Sequence, residues 1–182
     1  MGSLVLVEPV KEYGSQVMEY RKAFLACGDS LDGCGGLENT ATYEEWLDFE
    51  NRLRKQYGEG YVPSTVYLAV RKDDNKVVGI IDLRHWLSEF LLNYGGHIGY
   101  SVHPEERRKG YASEMLALMI EKCRECGLDR VLLTCNKENI ASARTIIKNG
   151  GVLENELEKK QENGKTEIIQ RYWITLSGDE RK

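Results

Sequence analysis

Arg107-Arg108-Lys109-Gly110 is the densest concentration of positive charge next to a glycine in an otherwise acidic chain. The run lies between an apolar, strand-like segment at 97–102 and an amphipathic segment at 110–126, with Pro104 in the turn between them. The first N–H groups of a helix have no acceptors within it, and the helix dipole makes that end positive. A glycine at the helix entry lets a ligand reach the backbone, and a phosphate or pyrophosphate is the natural ligand for such a place. A cationic run by itself is a solvated basic turn. The coincidence of strand end, proline, cations, glycine and helix favours an anion site instead. Two other phosphate loops are absent: no G-x-x-x-x-G-K-[ST] and no G-x-G-x-x-G string occurs.

Other reactive residue types are less organised. The cysteines Cys27, Cys34, Cys123, Cys126 and Cys135 are odd in number and follow no disulfide framework. Cys123 and Cys126 form a C-x-x-C late in a helical pattern, without a second pair or a nearby His to complete a zinc site, so no metal is expected. No Cys has an identifiable His partner for covalent catalysis. Glu44, Glu45, Asp48 and Glu50 could draw a cation but read as a solvated helix face. Asn139 is a helix cap, accepting from a first-turn N–H.

These residues need a frame. A strand at 5–7 is followed by a helix at 15–26 and a Gly-rich loop at 27–39. Thr42 and Glu45 make a capping box for a helix at 42–57, with Trp46, Leu47, Phe49 and Leu53 as its stripe and Gly58 and Gly60 as its exit. Strands at 65–71 and 76–84 form a hairpin turning at Asp73–Asn75, and 97–102 is the fourth strand. The helix 110–126, the strand 130–135, the helix 140–148 and a hairpin of 152–160 with 167–176 about Asn163-Gly164 complete the chain. This order predicts a single α/β domain over 1–182: a mixed, mostly antiparallel sheet, one parallel pair from the crossover between 97–102 and 130–135, and helices on both faces.

The string Val102-His-Pro-Glu-Glu-Arg-Arg-Lys-Gly-Tyr-Ala-Ser113 resembles motif A of the GNAT N-acetyltransferases, [RQ]-x-x-G-x-[GA], as Arg107-Arg-Lys-Gly110-Tyr-Ala112. Asn139-Ile-Ala-Ser142 followed by Gly150-Gly151 resembles the family's N-x-x-S…G-[FG] segment, in the expected order one strand later. The resemblance implies an acyl-CoA N-acyltransferase fold and acetyl transfer from acetyl-CoA to an amine of a small molecule or protein in a ternary complex. It implies that Arg107, Arg108, Lys109, Gly110, Tyr111, Ala112 and Ser113 hold the CoA pyrophosphate, largely through backbone amides. It implies that Tyr100, Ser101 and Val102 pair with pantetheine, an amide near Val102 serving the thioester oxygen, and that Asn139 and Ser142 contact the cofactor arm. Many family members carry an acid at the start of the fourth strand; here His97 stands there and is the expected base, with His85 and Asp82 second, while His103 shapes the turn. The Tyr that often serves as general acid is replaced by Ile146. That departure keeps a second reading in view, a CoA-binding module without turnover.

Composition bounds the partners. The chain has 182 residues, 41% hydrophobic and 30% charged, with a net charge of −4. That balance excludes a disordered chain and argues against nucleic acid or an anionic membrane as partners. No apolar run approaches the roughly 20 residues of a membrane span. The start of the chain lacks a basic segment and cleavage site, so a cytoplasmic protein is expected. A homodimer through the last hairpin or a sheet edge is compatible with the pattern.

Overall fold

Segments rich in β-branched and aromatic residues alternate with amphipathic ones, and the computed structural model, which describes residues 2–55, 61–161 and 163–176, follows that alternation. Its order is β1 (Leu4–Val7), α1 (Gly14–Cys27), α2 (Tyr43–Leu53), β2 (Ser64–Arg71), β3 (Lys76–Arg84), β4 (Ile98–Val102), α3 (Tyr111–Glu125), β5 (Arg130–Asn136), α4 (Ile140–Lys148), β6 (Val152–Lys160) and β7 (Thr166–Thr175). The glycine exit read at Gly58 and Gly60 lies outside the described residues. Among the described residues no helix is long and apolar enough to cross a membrane.

Strand alternation decides the layers. β1 to β4 form one antiparallel sheet in sequence order. Val66, Leu68, Val70 and Ile80 face α1 and α2, whereas Ala69, Val78, Ile81 and Leu83 face α3. Helices therefore cover both faces of this sheet. α3 buries Met115, Leu116, Met119, Ile120 and Cys123, side chains worth roughly 2 kcal/mol each on burial. Cys123 is buried and Cys126 exposed, so the C-x-x-C thiols sit in different surroundings.

α2 has its capping box, with Thr42 Oγ1 accepting from Glu45 N–H and the Glu45 side chain from Thr42 N–H. Its buried stripe differs from the sequence reading: it is Tyr43, Trp46, Glu50 and Leu53, while Leu47 and Phe49 are half-buried. The exposed acids of this helix are Glu44, Glu45 and Asp48, and Glu50 is not among them.

The predicted parallel pair needs correction. β4 belongs to the first sheet, and β5 to a second with order β5-β7-β6. The two strands start side by side, His97 N–H donating to the Leu132 carbonyl at 2.7 Å, and no ladder follows. The physical reason lies in the entry to β4. The β4 groups that would continue a ladder are already taken by β3: the His97 carbonyl accepts from Arg84 N–H at 2.7 Å, and Gly99 N–H donates to Asp82 Oδ1 at 2.8 Å. Gly96 turns the chain there at φ +68°, and a Cβ on it would fall 2.6 Å from the Leu132 carbonyl oxygen, so only glycine fits. Beyond this pin β4 and β5 diverge into separate sheets, a fork with an open strand edge.

Candidate active site

The cationic turn is built by short-range capping. At the end of β4, His103 Nδ1 accepts from Glu105 N–H, and Pro104 opens a single 3-10 turn over Pro104–Glu106. Two residues then take left-handed backbone, Arg108 at φ 63° and Gly110 at φ 86°. Ser113 and Glu114 N–H both donate to the Gly110 carbonyl, at 3.1 and 3.2 Å. The N–H groups of Arg108, Lys109, Gly110, Tyr111 and Ala112 have no backbone acceptor among the described residues. Successive unpartnered amides at a helix N-terminus make an anion-binding surface. A Cβ at Gly110 would meet nothing within 4 Å, so the approach to these amides is open.

The side chains of the run divide by role. Arg107 ties the turn to the rest of the fold: Nε donates to the Val102 carbonyl at 3.2 Å and Nη1 to Asp29 at 2.7 Å. Lys109 Nζ reaches Glu106 Oε2 at 2.8 Å. Glu106 is buried and also receives Arg71 Nη1 at 2.9 Å and Lys76 Nζ at 2.7 Å. Its bonds from Lys109 and Lys76 hold its carboxyl down to about 2. Arg71 in turn donates to the Tyr111 hydroxyl at 3.1 Å. Glu106 is thus the hub beneath the anion-binding turn, and the sequence reading missed it. Its signal was present as an acid directly before three cationic positions, but its partners Arg71 and Lys76 come from the β2–β3 hairpin.

The fork brings further expected residues together. Tyr100 Oη and Ser142 Oγ lie 2.9 Å apart, joining β4 to α4. Burial pushes the Tyr100 phenol up to about 12, so it is protonated at neutral pH. Asn139 Oδ1 accepts from Ser142 N–H at 3.0 Å, which makes it the cap of α4. Asn149 Nδ2 donates to Ser113 Oγ at 3.2 Å and joins α3 to α4. Ser101 points to the other face, where its Oγ accepts from Tyr20 Oη at 3.1 Å and lies 3.2 Å from Cys34 Sγ. Ile146 is fully buried in the core, so the position that carries a Tyr in many family members is a packing position here.

His97 is placed at the crotch of the fork and buried. With Nδ1 accepting from Leu132 N–H, the neutral ring carries its proton on Nε2 and offers a donor. Burial first, then Arg84 and Arg130, pushes the ring down to about 4. In this setting it is a weak base at neutral pH. His85 stands exposed at the rim, Nε2 within 2.9 Å of Thr65 Oγ1. Asp82 is buried on the α1–α2 face, Oδ1 accepting from Gly99 N–H at 2.8 Å and Oδ2 facing Arg84 Nε at 3.1 Å.

Known proteins resemble this chain in sequence and fold. Residues 34–152 match the family model described as Acetyltransferase (GNAT) domain. YnaD of Bacillus subtilis (strain 168), an uncharacterized N-acetyltransferase, is 32% identical over 114 residues, 62% of this chain. The match spans 61% of that relative's length. Among solved structures, RimL, a ribosomal L7/L12 alpha-N-protein acetyltransferase in complex with coenzyme A, superposes with a TM-score of 0.73 at 18% identity, covering 98% of this chain and 97% of that one. The yncA protein of Salmonella typhimurium, a putative acetyltransferase with its cofactor acetyl-CoA, gives 0.65 at 16% identity and the same coverages of 98% and 97%. With an amide-lined helix entry after β4, a fork between β4 and β5, and a family model matching most of its length, the chain belongs to the GNAT acetyltransferase family.

Proposed function

We propose that this protein is an N-acetyltransferase that moves the acetyl group of acetyl-CoA to an amine. The observation that carries the reading is the row of unpartnered amides from Arg108 to Ala112, which leads directly to the open edge of β4. The amides and the Arg108 side chain, which has no partner among the described residues, hold the pyrophosphate, with Gly110 leaving the approach clear. Pantetheine, an amide-bearing chain, pairs with the β4 edge along Tyr100–Val102, as a peptide adds to a sheet. Ser142 and the Tyr100 hydroxyl flank it from α4 and β4. His97 holds the fork open at its base as a positioning residue, because its Nδ1 is committed to Leu132.

The amine nitrogen attacks the thioester carbonyl carbon, an N–H on β4 stabilises the oxyanion, and the C–S bond breaks. Such a preorganised donor is worth roughly 3 kcal/mol in the transition state. The proton that the nitrogen sheds on forming the amide goes to the departing sulfur, giving CoA thiol. A second reading, a CoA-binding module without turnover, is favoured by one feature: Ile146 can donate no proton.

The two readings separate in a thiol-release assay across a broad amine panel. We expect amine-dependent release of CoA thiol, with an equal amount of acetylated amine found by mass spectrometry. Tight acetyl-CoA binding with no turnover on any amine would favour the module.

A further inference from the structure

Glu50 has no part in the reading above. Its side chain lies on the buried stripe of α2 with Trp46 and Leu53, 5% exposed. Neither carboxylate oxygen has a hydrogen-bond partner among the described residues. An unpaired acid in a helix–sheet interface is costly, and an apolar side chain would pack there without that penalty. Such exceptions mark sites where chemistry has been kept against stability.

The surroundings of this carboxyl lead to the reacting strand. Above it runs the Gly-rich loop, and a Cβ on Gly35 would fall 1.8 Å from Glu50 Oε1. In the same loop a Cβ on Gly33 would fall 2.2 Å from the Gly99 carbonyl oxygen, so the loop rests on both Glu50 and β4. From β3, Asp82 acts on Glu50 electrostatically and accepts from Gly99 N–H. Glu50, Asp82 and Gly99 thus connect α2 to β4 on the face opposite the Tyr100–Ser142 pair. The charged groups that bear on this cluster are Asp82 and Arg84 from β3, Arg54 after α2, and Asp32 from the loop. Arg84 is engaged by Asp82, and Arg54 by Glu8 at 2.9 Å.

We propose that Glu50, backed by Asp82, is the seat of the acceptor's cationic amino group and the base that takes its proton before attack. The inference rests on the transferase reading and names its acceptor as a primary ammonium. In balanced form, the ammonium gives one proton to the Glu50 carboxylate and becomes a neutral amine. That amine attacks the thioester, its second proton leaves with the sulfur as CoA thiol, and Glu50 later returns its proton to water. Entry requires the loop to lift at Gly35, whose backbone lies directly against the carboxyl. The electrostatics agree: burial first, then the charge of Asp82, pushes Glu50 up to about 8 against the opposing Arg54, in the range suited to a base near neutral pH.

The test compares wild type with Glu50→Gln, using n-hexylamine and 1,6-diaminohexane as acceptors. We expect wild-type kcat/KM to rise with pH through about 8 as Glu50 loses its proton. Glu50→Gln should lose about 100-fold or more in kcat/KM, an amount in keeping with general-base catalysis, and lack that limb. It should bind acetyl-CoA within about twofold of wild type and melt at an equal or higher temperature, because a buried acid has been neutralised. A purely structural Glu50 would not move the pH profile. Transfer by wild type with both kcat/KM and the limb unchanged in the variant overturns the assignment of Glu50 and leaves the transferase reading intact. Acetyl-CoA binding by wild type with no transfer to either amine overturns the alkylamine acceptor itself. If Glu50→Gln does not fold, Glu50→Asp decides: a retained limb with a lowered kcat supports the role, and an unchanged kcat overturns it.

Discussion

Gly110→Asp abolishes acetyl-CoA binding while the protein stays folded. The effect follows from two facts about one residue. Gly110 has φ +86°, and a Cβ there meets nothing within 4 Å. The fold therefore loses only the strain of a left-handed Asp, about 1 kcal/mol, or a fall of a few degrees in Tm. The ligand loses far more. The new carboxylate stands at the entry to the amides of Arg108–Ala112, where the pyrophosphate is to lie. Two like charges about 4 Å apart in a partly desolvated site repel by roughly 4 kcal/mol, which is close to a thousandfold in Kd. Titration calorimetry measures the binding and a thermal melt the fold. Unchanged affinity would contradict the phosphate-site assignment.

Glu106→Gln is the second large effect, and it is one of stability. Glu106 is 4% exposed and neutralises Arg71, Lys76 and Lys109 together. Removing a buried acid from its cations leaves them uncompensated, typically at 3–5 kcal/mol. Lys76 and Lys109 are half open to water, so roughly 2–3 kcal/mol is expected here. The pH dependence fixes the mechanism. The folded carboxyl sits at about 2 against an ordinary 4.5, so its contribution is complete above 4.5 and is lost as pH falls toward 2. The gap in urea midpoint between wild type and Glu106→Gln should therefore be widest near pH 6 and narrow below pH 4.5. A gap independent of pH would show that packing, not charge, is lost.

Much of this was legible in the sequence because local chemistry determines it. The turn at 107–110, the capping box of α2, the Asn139 cap of α4 and the hairpin about Asn163-Gly164 involve residues within a few positions of each other. What the sequence did not reveal has a common cause in contacts between distant segments. The parallel pairing of β4 with β5 failed because β3 takes the β4 carbonyl and N–H that a ladder beyond His97 needs. The base assigned to His97 rested on its strand position, which cannot reveal that Nδ1 bonds to Leu132 across the fork. Glu106 gained its importance only when the β2–β3 hairpin brought Arg71 and Lys76 against it. Glu50 was grouped with the solvated acids of α2, although the spacing Tyr43–Trp46–Glu50–Leu53 follows the helical period and places it on the apolar stripe. There the pattern was in the sequence, and the charge of the residue hid it.

The central claim is that the amides after β4 and the fork between β4 and β5 seat acetyl-CoA for transfer. A crystal structure of the protein with CoA tests it most directly. The account predicts pyrophosphate oxygens within about 3 Å of N–H groups in the Arg108–Ala112 run, hydrogen-bond distance, with pantetheine lying along the open edge of β4. A pyrophosphate bound elsewhere, with that edge left free, would contradict it.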